Sequence, residues 1–152
     1  MFNKKPNSLN MLIYLFFLLY FNQLNFYDSQ QGDIDIKVTG VSNQKGEIMV
    51  ALFDSPEGFP QNPVKALKLG KSPAQKGDVV IHLKDVPPGK YAIALFHDTN
   101  GDAILNTNFL GIPKEGYGVS NNIKNKLSAP KFQQAIFVHG EGPSSLTIFI
   151  NY

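Results

Sequence analysis

Three residue types are missing from this chain of 152 residues: cysteine, tryptophan and arginine. Without cysteine there is no disulfide framework, no thiol nucleophile and no cysteine-ligated zinc site. A bacterial lipoprotein also needs a cysteine beside its signal peptide, so a lipid anchor is not expected. Nucleic-acid binding usually relies on clustered cations that include arginine. Here the 14 cationic residues are scattered lysines, and 12 acids bring the net charge to +2. We therefore expect no nucleic-acid partner.

Long apolar runs are also scarce. The clearest one, MLIYLFFLLYF at residues 11–21, follows Lys4 and Lys5. Its length suits the apolar core of a signal peptide and is short of the roughly 20 residues that a membrane-spanning helix needs. We predict a signal peptide over residues 1–29, with cleavage near Ser29; an uncleaved N-terminal anchor is the alternative. The domain at residues 33–152 is then exported, periplasmic or secreted, with no membrane span after cleavage.

The rest of the chain alternates apolar and polar residues in short segments, separated by turns rich in Gly, Pro and Asn. DIDIKVTGV, DVVIHLKDV and PPGKYAIALFHD are typical of strands, and the continuous apolar run in GEIMVALFDS favours a strand buried on both faces. VKALKLGKSPAQKG is compatible with a helical turn followed by a strand or a loop. KFQQAIFVHG and SSLTIFINY, on either side of EGP, predict a hairpin. We predict one all-β domain, an antiparallel seven-stranded sandwich of Greek-key, transthyretin-like or immunoglobulin-like type.

One connection in this sandwich is unusually long. Residues 99–130 would form a loop of about 30 residues, and compact domains rarely carry such loops unless they are functional or have structure of their own. A site is therefore expected in the segment His97–Asn122. Asp98, Asn100 and Asp102 lie at positions 1, 3 and 5 of a loop, with Asn106 at position 9, a pattern of oxygens that calcium favours.

Two interpretations of this polar half stay open. The match to the helix-loop-helix calcium motif is poor, because Ala103 stands where Gly belongs and Phe109 where a bidentate Glu belongs. Asp and Asn side chains in such a turn also bond their own backbone. We therefore weigh a self-bonded turn against a calcium ion held by Asp98, Asn100, Asp102 and Asn106.

The second half of the segment sets aromatic and apolar residues among Gly and Pro. Tight bends would fold these side chains back onto the sandwich edge, which is the interpretation we favour over an exposed binding surface. If the segment does bind, the candidate contact residues are Phe109, Glu115, Tyr117, Ser120 and Asn121.

PPGKYAIALFHDTNGDAILNTNFLGIPKEGYGVSNN, followed by APKFQQAIFVHG, resembles the bacterial family called domain of unknown function 2141. Its pattern runs His-Asp-x-Asn-x-Asn-Gly-x-Leu-Asp and then Gly-x-Pro-x-Glu-x-Tyr-Gly-x-Ser-Asn. There are two departures from it: Asp102-Ala103 replaces the Asn-Gly pair, and Asn106 replaces the following Asp. The resemblance implies an exported protein with a transthyretin-like or immunoglobulin-like sandwich, and it implies no activity. The matching positions are His97, Asp98, Asn100, Leu105, Gly111, Pro113, Glu115, Tyr117, Gly118, Ser120 and Asn121.

Binding is favoured over catalysis. A relay through His97 and Ser120 has no nucleophile-elbow pattern around the serine, and a carboxylate pair of Asp102 and Glu115 needs a separation that the sequence does not give. No catalytic residue is assigned. We expect an exported, non-catalytic module of the cell envelope or extracellular space that binds a partner or a glycan through residues 97–122. The alternatives are a hydrolase or lyase using Asp102, Glu115 and His97, and a purely structural envelope protein.

Overall fold

The computed structural model describes residues 31–125 and 128–152, and they are mostly β, as predicted. Helical structure within them consists of two 3₁₀ turns, Pro63–Lys65 and Ser120–Asn122, and one short helix, α1 (Phe132–Ala135). The predicted signal peptide lies outside the described residues. Within the described ranges, no helix has the length and apolar character that crossing a membrane requires. The strands are β1 (Gly32–Val41), β2 (Glu47–Phe53), β3 (Lys68–Pro73), β4 (Gly77–Val86), β5 (Gly89–Asp98), β6 (Tyr117–Val119), β7 (Phe137–His139) and β8 (Ser144–Phe149).

These eight strands form two sheets. One has the order β4-β1-β8; the other has the order β3-β2-β5-β6, and β7 pairs with the first residues of β5. The prediction of seven antiparallel strands is wrong on two counts. An eighth strand, β6, forms inside the long connection, and β8 runs parallel to β1. The undecided segment resolves into the 3₁₀ turn followed by β3.

The predicted hairpin between β7 and β8 is also wrong. β7 pairs with β5 and β8 pairs with β1, so residues 140–143 cross from one sheet to the other. Two short apolar strands around a turn are compatible with either a hairpin or a crossing. Which open sheet edge each strand reaches depends on the rest of the fold, and local spacing carries no information about it.

The two central strands of the larger sheet, β2 and β5, are buried on both faces, as the continuous apolar run in β2 predicted. On its inner face, Ile48, Leu52 and Ile93 pack in one core with Ile34 and Ile36 of the other sheet. Its outer face carries small residues and is covered by the connections on either side of it. The residues of this second cluster are Ala51, Phe53, Ala92, Ala94, Val119, Phe132 and Ala135, with Phe59 packed against them.

The pairing of the start of β2 with the end of β5 places the β1–β2 turn against the long loop that follows β5. Glu47 pairs with Asp98 across these two strands. Gly46, just before β2, has a φ of +68°, and a Cβ atom there would lie 1.8 Å from the Asp98 carbonyl oxygen. Glycine is therefore required at this position, and the β1–β2 turn closes directly onto the first residues of the loop.

The close covering of the outer face predicts that Ala92→Leu is destabilising. Ala92 is fully buried, and added methylenes in a packed core cost about 1–3 kcal/mol. Urea denaturation should show this loss in the free energy of unfolding. Lys90→Leu is the matched control, because Lys90 is exposed two residues earlier on the same strand and its change should stay within about 0.5 kcal/mol. Equal effects of the two substitutions would contradict the two-faced burial.

Candidate functional site

Asp98 folds the first turn of the loop. It ends β5, is 3% exposed, and points its carboxylate at the backbone ahead of it. Its Oδ1 accepts a hydrogen bond from the Gly101 N–H at 2.8 Å, and its Oδ2 accepts one from the Ala103 N–H at 2.9 Å. Both residues have positive φ, +79° and +60°, so the carboxylate compensates for a turn in the left-handed region. The self-bonded turn is thus present here.

The other three predicted calcium ligands bond to one another. The Asn100 side-chain amide donates to Asp102 Oδ2 at 2.9 Å and to Asn106 Oδ1 at 2.8 Å. The Asn106 amide donates to the same Asp102 oxygen at 3.0 Å, and the Ile104 N–H donates to Asp102 Oδ1 at 2.9 Å. These donors, Asn106 first, hold the pKa of Asp102 below its ordinary value of 3.8 because they favour its charged form. We call Asn100, Asp102 and Asn106 the amide cluster.

Glu115 joins the two sides of the loop by hydrogen bonds to its carboxylate. Its side chain is 6% exposed. Oε1 accepts from the Thr99 N–H at 3.0 Å and from the Thr99 hydroxyl at 3.1 Å, while Oε2 accepts from the Asn106 N–H at 3.1 Å. Hydrogen bonds to an ionised carboxylate are stronger than those between neutral groups. One buried charge therefore joins the start of the loop to the base of the segment that follows.

That segment is a small hairpin at residues 106–114, here called the tip hairpin. The Lys114 N–H donates to the Asn106 carbonyl and the Asn108 N–H donates to the Ile112 carbonyl, both at 2.8 Å. The Asn108 side-chain oxygen then accepts from the Leu110 and Ile112 N–H groups at 2.9 and 3.0 Å. The end of the hairpin is therefore closed by backbone and side-chain hydrogen bonds.

The tip hairpin carries its apolar side chains outward. Phe109 is 94% exposed, Leu110 67% and Ile112 55%, and the neighbouring Ile104 is 63% exposed. We call these four residues the apolar tip. The expectation that the aromatic half folds back onto the sandwich edge is wrong for Phe109 and Ile112, because both side chains are exposed on the tip hairpin. A group of exposed apolar residues on a fixed support is typical of a contact surface.

His97 has a structural environment. It is fully buried, with Nε2 at 2.7 Å from the Lys45 carbonyl oxygen and Nδ1 at 2.7 Å from the Tyr152 hydroxyl. A carbonyl can only accept, so Nε2 carries the proton and Nδ1 accepts from Tyr152. Gly116 lies under the Tyr152 ring, where a Cβ would come within 2.5 Å of Cε1. The histidine thus locks the β1–β2 turn and the C-terminal segment onto the end of β5.

Ser120 and Asn121 hold the region after β6. Ser120 is fully buried; its Oγ accepts from the Ile93 N–H at 2.9 Å and donates to the Ala135 carbonyl at 2.5 Å. The Ile93 N–H therefore has a hydrogen-bond partner, although Ile93 lies between the β5 residues that pair with β6 and those that pair with β7. The exposed Asn121 side chain donates to two backbone carbonyls, those of Gln134 and Ile136.

The predicted five-residue contact surface therefore needs correction. Glu115 and Ser120 lie in the interior and use their polar atoms on backbone groups, so neither is presented to a partner. Tyr117 is half-buried on β6. Phe109 and Asn121 are exposed, although the Asn121 amide donates to two backbone carbonyls. Leu110, Ile112 and Ile104, which the candidate set did not include, are exposed together with Phe109.

The residues of the catalytic alternative have separate partners. His97 contacts Tyr152 and Lys45, and Ser120 contacts backbone atoms of Ile93 and Ala135. Asp102 and Glu115 meet different parts of Asn106, its side-chain amide and its backbone N–H. Within residues 31–125 and 128–152, no group of three or more His, Cys, Asp or Glu is placed to hold a metal ion.

The folded loop coincides with the motif noted in the sequence, and comparison with known proteins agrees with it. A family model described as "Uncharacterized protein conserved in bacteria (DUF2141)" matches residues 36–147. The chain belongs to the DUF2141 family. The resemblance is thus confirmed. No curated protein and no solved structure matches the chain.

In this chain, the polar positions of the DUF2141 motif fold the loop. His97, Asp98, Glu115 and Ser120 are all buried, and each makes hydrogen bonds inside the protein. Ala103, which stands where the motif has Gly, has a φ of +60°. A glycine would take that conformation without the cost that a Cβ brings. In this chain, these four motif residues stabilise the conformation of the loop through internal hydrogen bonds.

Several residues of the site were missed from the sequence. Thr99 bonds Glu115, 16 positions away, and Tyr152 bonds His97, 55 positions away. Local sequence spacing does not predict pairs so far apart. The role of Asn108 could have been predicted, because an Asn side chain in a turn commonly accepts a hydrogen bond from the backbone N–H two residues ahead.

Because the Glu115 carboxylate accepts hydrogen bonds from both Thr99 and Asn106, we predict that Glu115→Gln destabilises the loop. The amide nitrogen cannot accept from Thr99 or Asn106, and a buried donor left without a partner costs about 1–3 kcal/mol. We expect that loss in urea denaturation, together with faster hydrogen exchange at the Asn106 and Thr99 amides. Glu141→Gln is the control, since Glu141 is exposed and should change stability by less than about 0.5 kcal/mol. Unchanged exchange at both amides would show that the tie is dispensable.

Proposed function

We propose that this protein is an exported, non-catalytic binding module of the cell envelope or extracellular space, and that it contacts its partner through the apolar tip. The observation that carries the proposal is the exposure of Phe109, Leu110 and Ile112 on a hydrogen-bonded hairpin. An exposed apolar group gains free energy when a partner removes it from water, by about 25 cal/mol per Å². The hairpin also reduces the entropy lost on binding, because its backbone is already ordered.

The chemistry of the tip favours a protein with an apolar groove over a glycan. Sugar hydroxyls need hydrogen-bonding groups for orientation, and the side chains of Phe109, Leu110 and Ile112 have none. The one polar side chain at the turn, Asn108, already uses its oxygen on two backbone N–H groups. A hydrophobic anchor that inserts into a pocket is the usual centre of a protein–protein interface.

Export and the finer fold class are parts of the same proposal. Export is supported by the apolar run at residues 11–21 behind two lysines, which has the length of a signal-peptide core. A transthyretin-like or immunoglobulin-like Greek-key sandwich is supported by the path of the chain. It runs from one sheet at β1 to the other at β2 and β3, back at β4, across again for β5 to β7, and back at β8.

Photo-crosslinking in the producing bacterium tests the tip directly. With p-benzoylphenylalanine in place of Phe109, we expect one discrete protein adduct, because the probe replaces the most exposed apolar side chain. The same probe at Val64, which is 87% exposed outside the tip, is the matched control and should give none. The Leu110→Ser and Ile112→Ser pair should abolish the adduct at position 109 while thermal unfolding stays unchanged. Absence of an adduct at 109, or equal adducts at both positions, would favour a purely structural protein.

Calcium ordering of the polar half is a separate proposal, supported by the alternate oxygens of Asp98, Asn100, Asp102 and Asn106. Binding would require Asn100 and Asn106 to rotate their amides, since both now direct N–H groups at Asp102. A hundredfold excess of calcium over its dissociation constant adds about 2.7 kcal/mol to native stability. Thermal unfolding in millimolar calcium and in EDTA should then differ by several degrees, and Asp98→Ala should remove the difference. Identical transitions in both buffers would show that calcium does not stabilise the fold and would favour the self-bonded turn.

A further inference from the structure

Asn100-Gly101 is the one Asn-Gly pair in the chain. In such a pair, the glycine nitrogen can attack the asparagine side-chain carbonyl carbon. This closes a five-membered succinimide ring and expels ammonia. Glycine permits the attack because it has no Cβ to obstruct the approach and restricts the backbone least. On sequence alone, Asn100 is therefore the asparagine most prone to deamidation.

The folded loop opposes this reaction on both reacting groups. The Gly101 N–H is held at 2.8 Å by Asp98 Oδ1. The nitrogen must lose that proton to become a nucleophile, and the adjacent carboxylate charge disfavours the amide anion. The Asn100 side chain is held in place by three hydrogen bonds: its amide donates to Asp102 and Asn106, and its oxygen accepts from the Asp102 N–H. In the closed loop, four hydrogen bonds therefore restrain the two groups that must react.

We propose that Asn100 is a deamidation site whose reactivity is set by the loop: blocked while the loop is closed and released when it opens. In the open loop, the Gly101 nitrogen loses its proton to water and bonds to the Asn100 side-chain carbon, and NH₃ leaves. Water then adds to either carbonyl of the succinimide and opens it, giving an aspartate or an isoaspartate. The sum of the steps consumes one water and releases one ammonia, and no other reactant is required.

The product cannot rebuild the amide cluster. A carboxylate at position 100 has no N–H to donate to Asp102 or to Asn106, and it brings a second negative charge beside Asp102. Like charges at this distance repel, and the isoaspartate form also lengthens the backbone by one atom. Each opening that leads to reaction therefore disables the polar half of the loop irreversibly. This inference is independent of the proposed binding function.

Peptide mapping by mass spectrometry tests the proposal on the full chain. Folded protein and protein in concentrated urea are incubated at the same mildly alkaline pH, and the replacement of NH₂ by OH is followed at each asparagine. In urea we expect Asn100 to react faster than Asn106 and Asn108, its neighbours in the same peptide. In the folded protein we expect its rate to fall at least about tenfold, because reaction must wait for local opening.

Glu115→Gln separates loop opening from intrinsic chemistry. It leaves Asn100 and Gly101 untouched and weakens the tie beneath them, so it should raise the folded-state rate severalfold and leave the rate in urea unchanged. Gly101→Ala should slow the reaction in urea, which checks that the succinimide route is the one followed. Equal rates at Asn100 in folded and unfolded protein, or a faster reaction at Asn106 in urea, would overturn the proposal.

Discussion

The loop depends on the buried carboxylate of Glu115. A charge removed from water is costly unless donors replace its hydration, and here the Thr99 N–H, the Thr99 hydroxyl and the Asn106 N–H do so. Because these donors come from the two ends of the polar half, satisfying the carboxylate also closes the loop. The base of the tip hairpin is at Asn106, so the position of the apolar tip follows from the same interaction.

The carboxylates of this region are used for architecture. Asp98 orders the first turn, Glu115 joins its ends, and Asp102 gathers the amides of Asn100 and Asn106. The hydrogen bonds of the loop direct the oxygens of all three carboxylates at backbone and side-chain N–H groups. The apolar side chains of the region are the ones left exposed, on the tip hairpin that begins at Asn106.

The sequence predicted those parts of the fold that depend on local periodicity. Alternation identified β1, β4 and β5, and the continuous apolar run identified β2 as a strand buried on two faces. It failed where the answer depends on distant partners: β8 lies parallel to β1, and β7 belongs to the opposite sheet. The site shows the same limit. The Asp98 turn could be expected from Asx-turn chemistry. The partners of Glu115, the burial of Ser120 and the exposure of Phe109 arise from tertiary packing.

The departures from the DUF2141 motif at positions 102 and 106 meet in the amide cluster, and the third, at Ala103, lies outside it. Where the motif has Asn at position 102 and Asp at 106, this chain has Asp102 and Asn106. The exchange keeps one carboxylate and one amide in the pair, and only the direction of the bond between them is reversed: here the Asn106 amide donates to Asp102. Asn100 donates to both positions, and both oxygens are acceptors whichever residue is the acid. A single substitution at either position would leave two carboxylates or two amides facing each other. The paired exchange keeps one carboxylate and one amide at positions 102 and 106, which is the combination that the hydrogen bonds of the amide cluster use here.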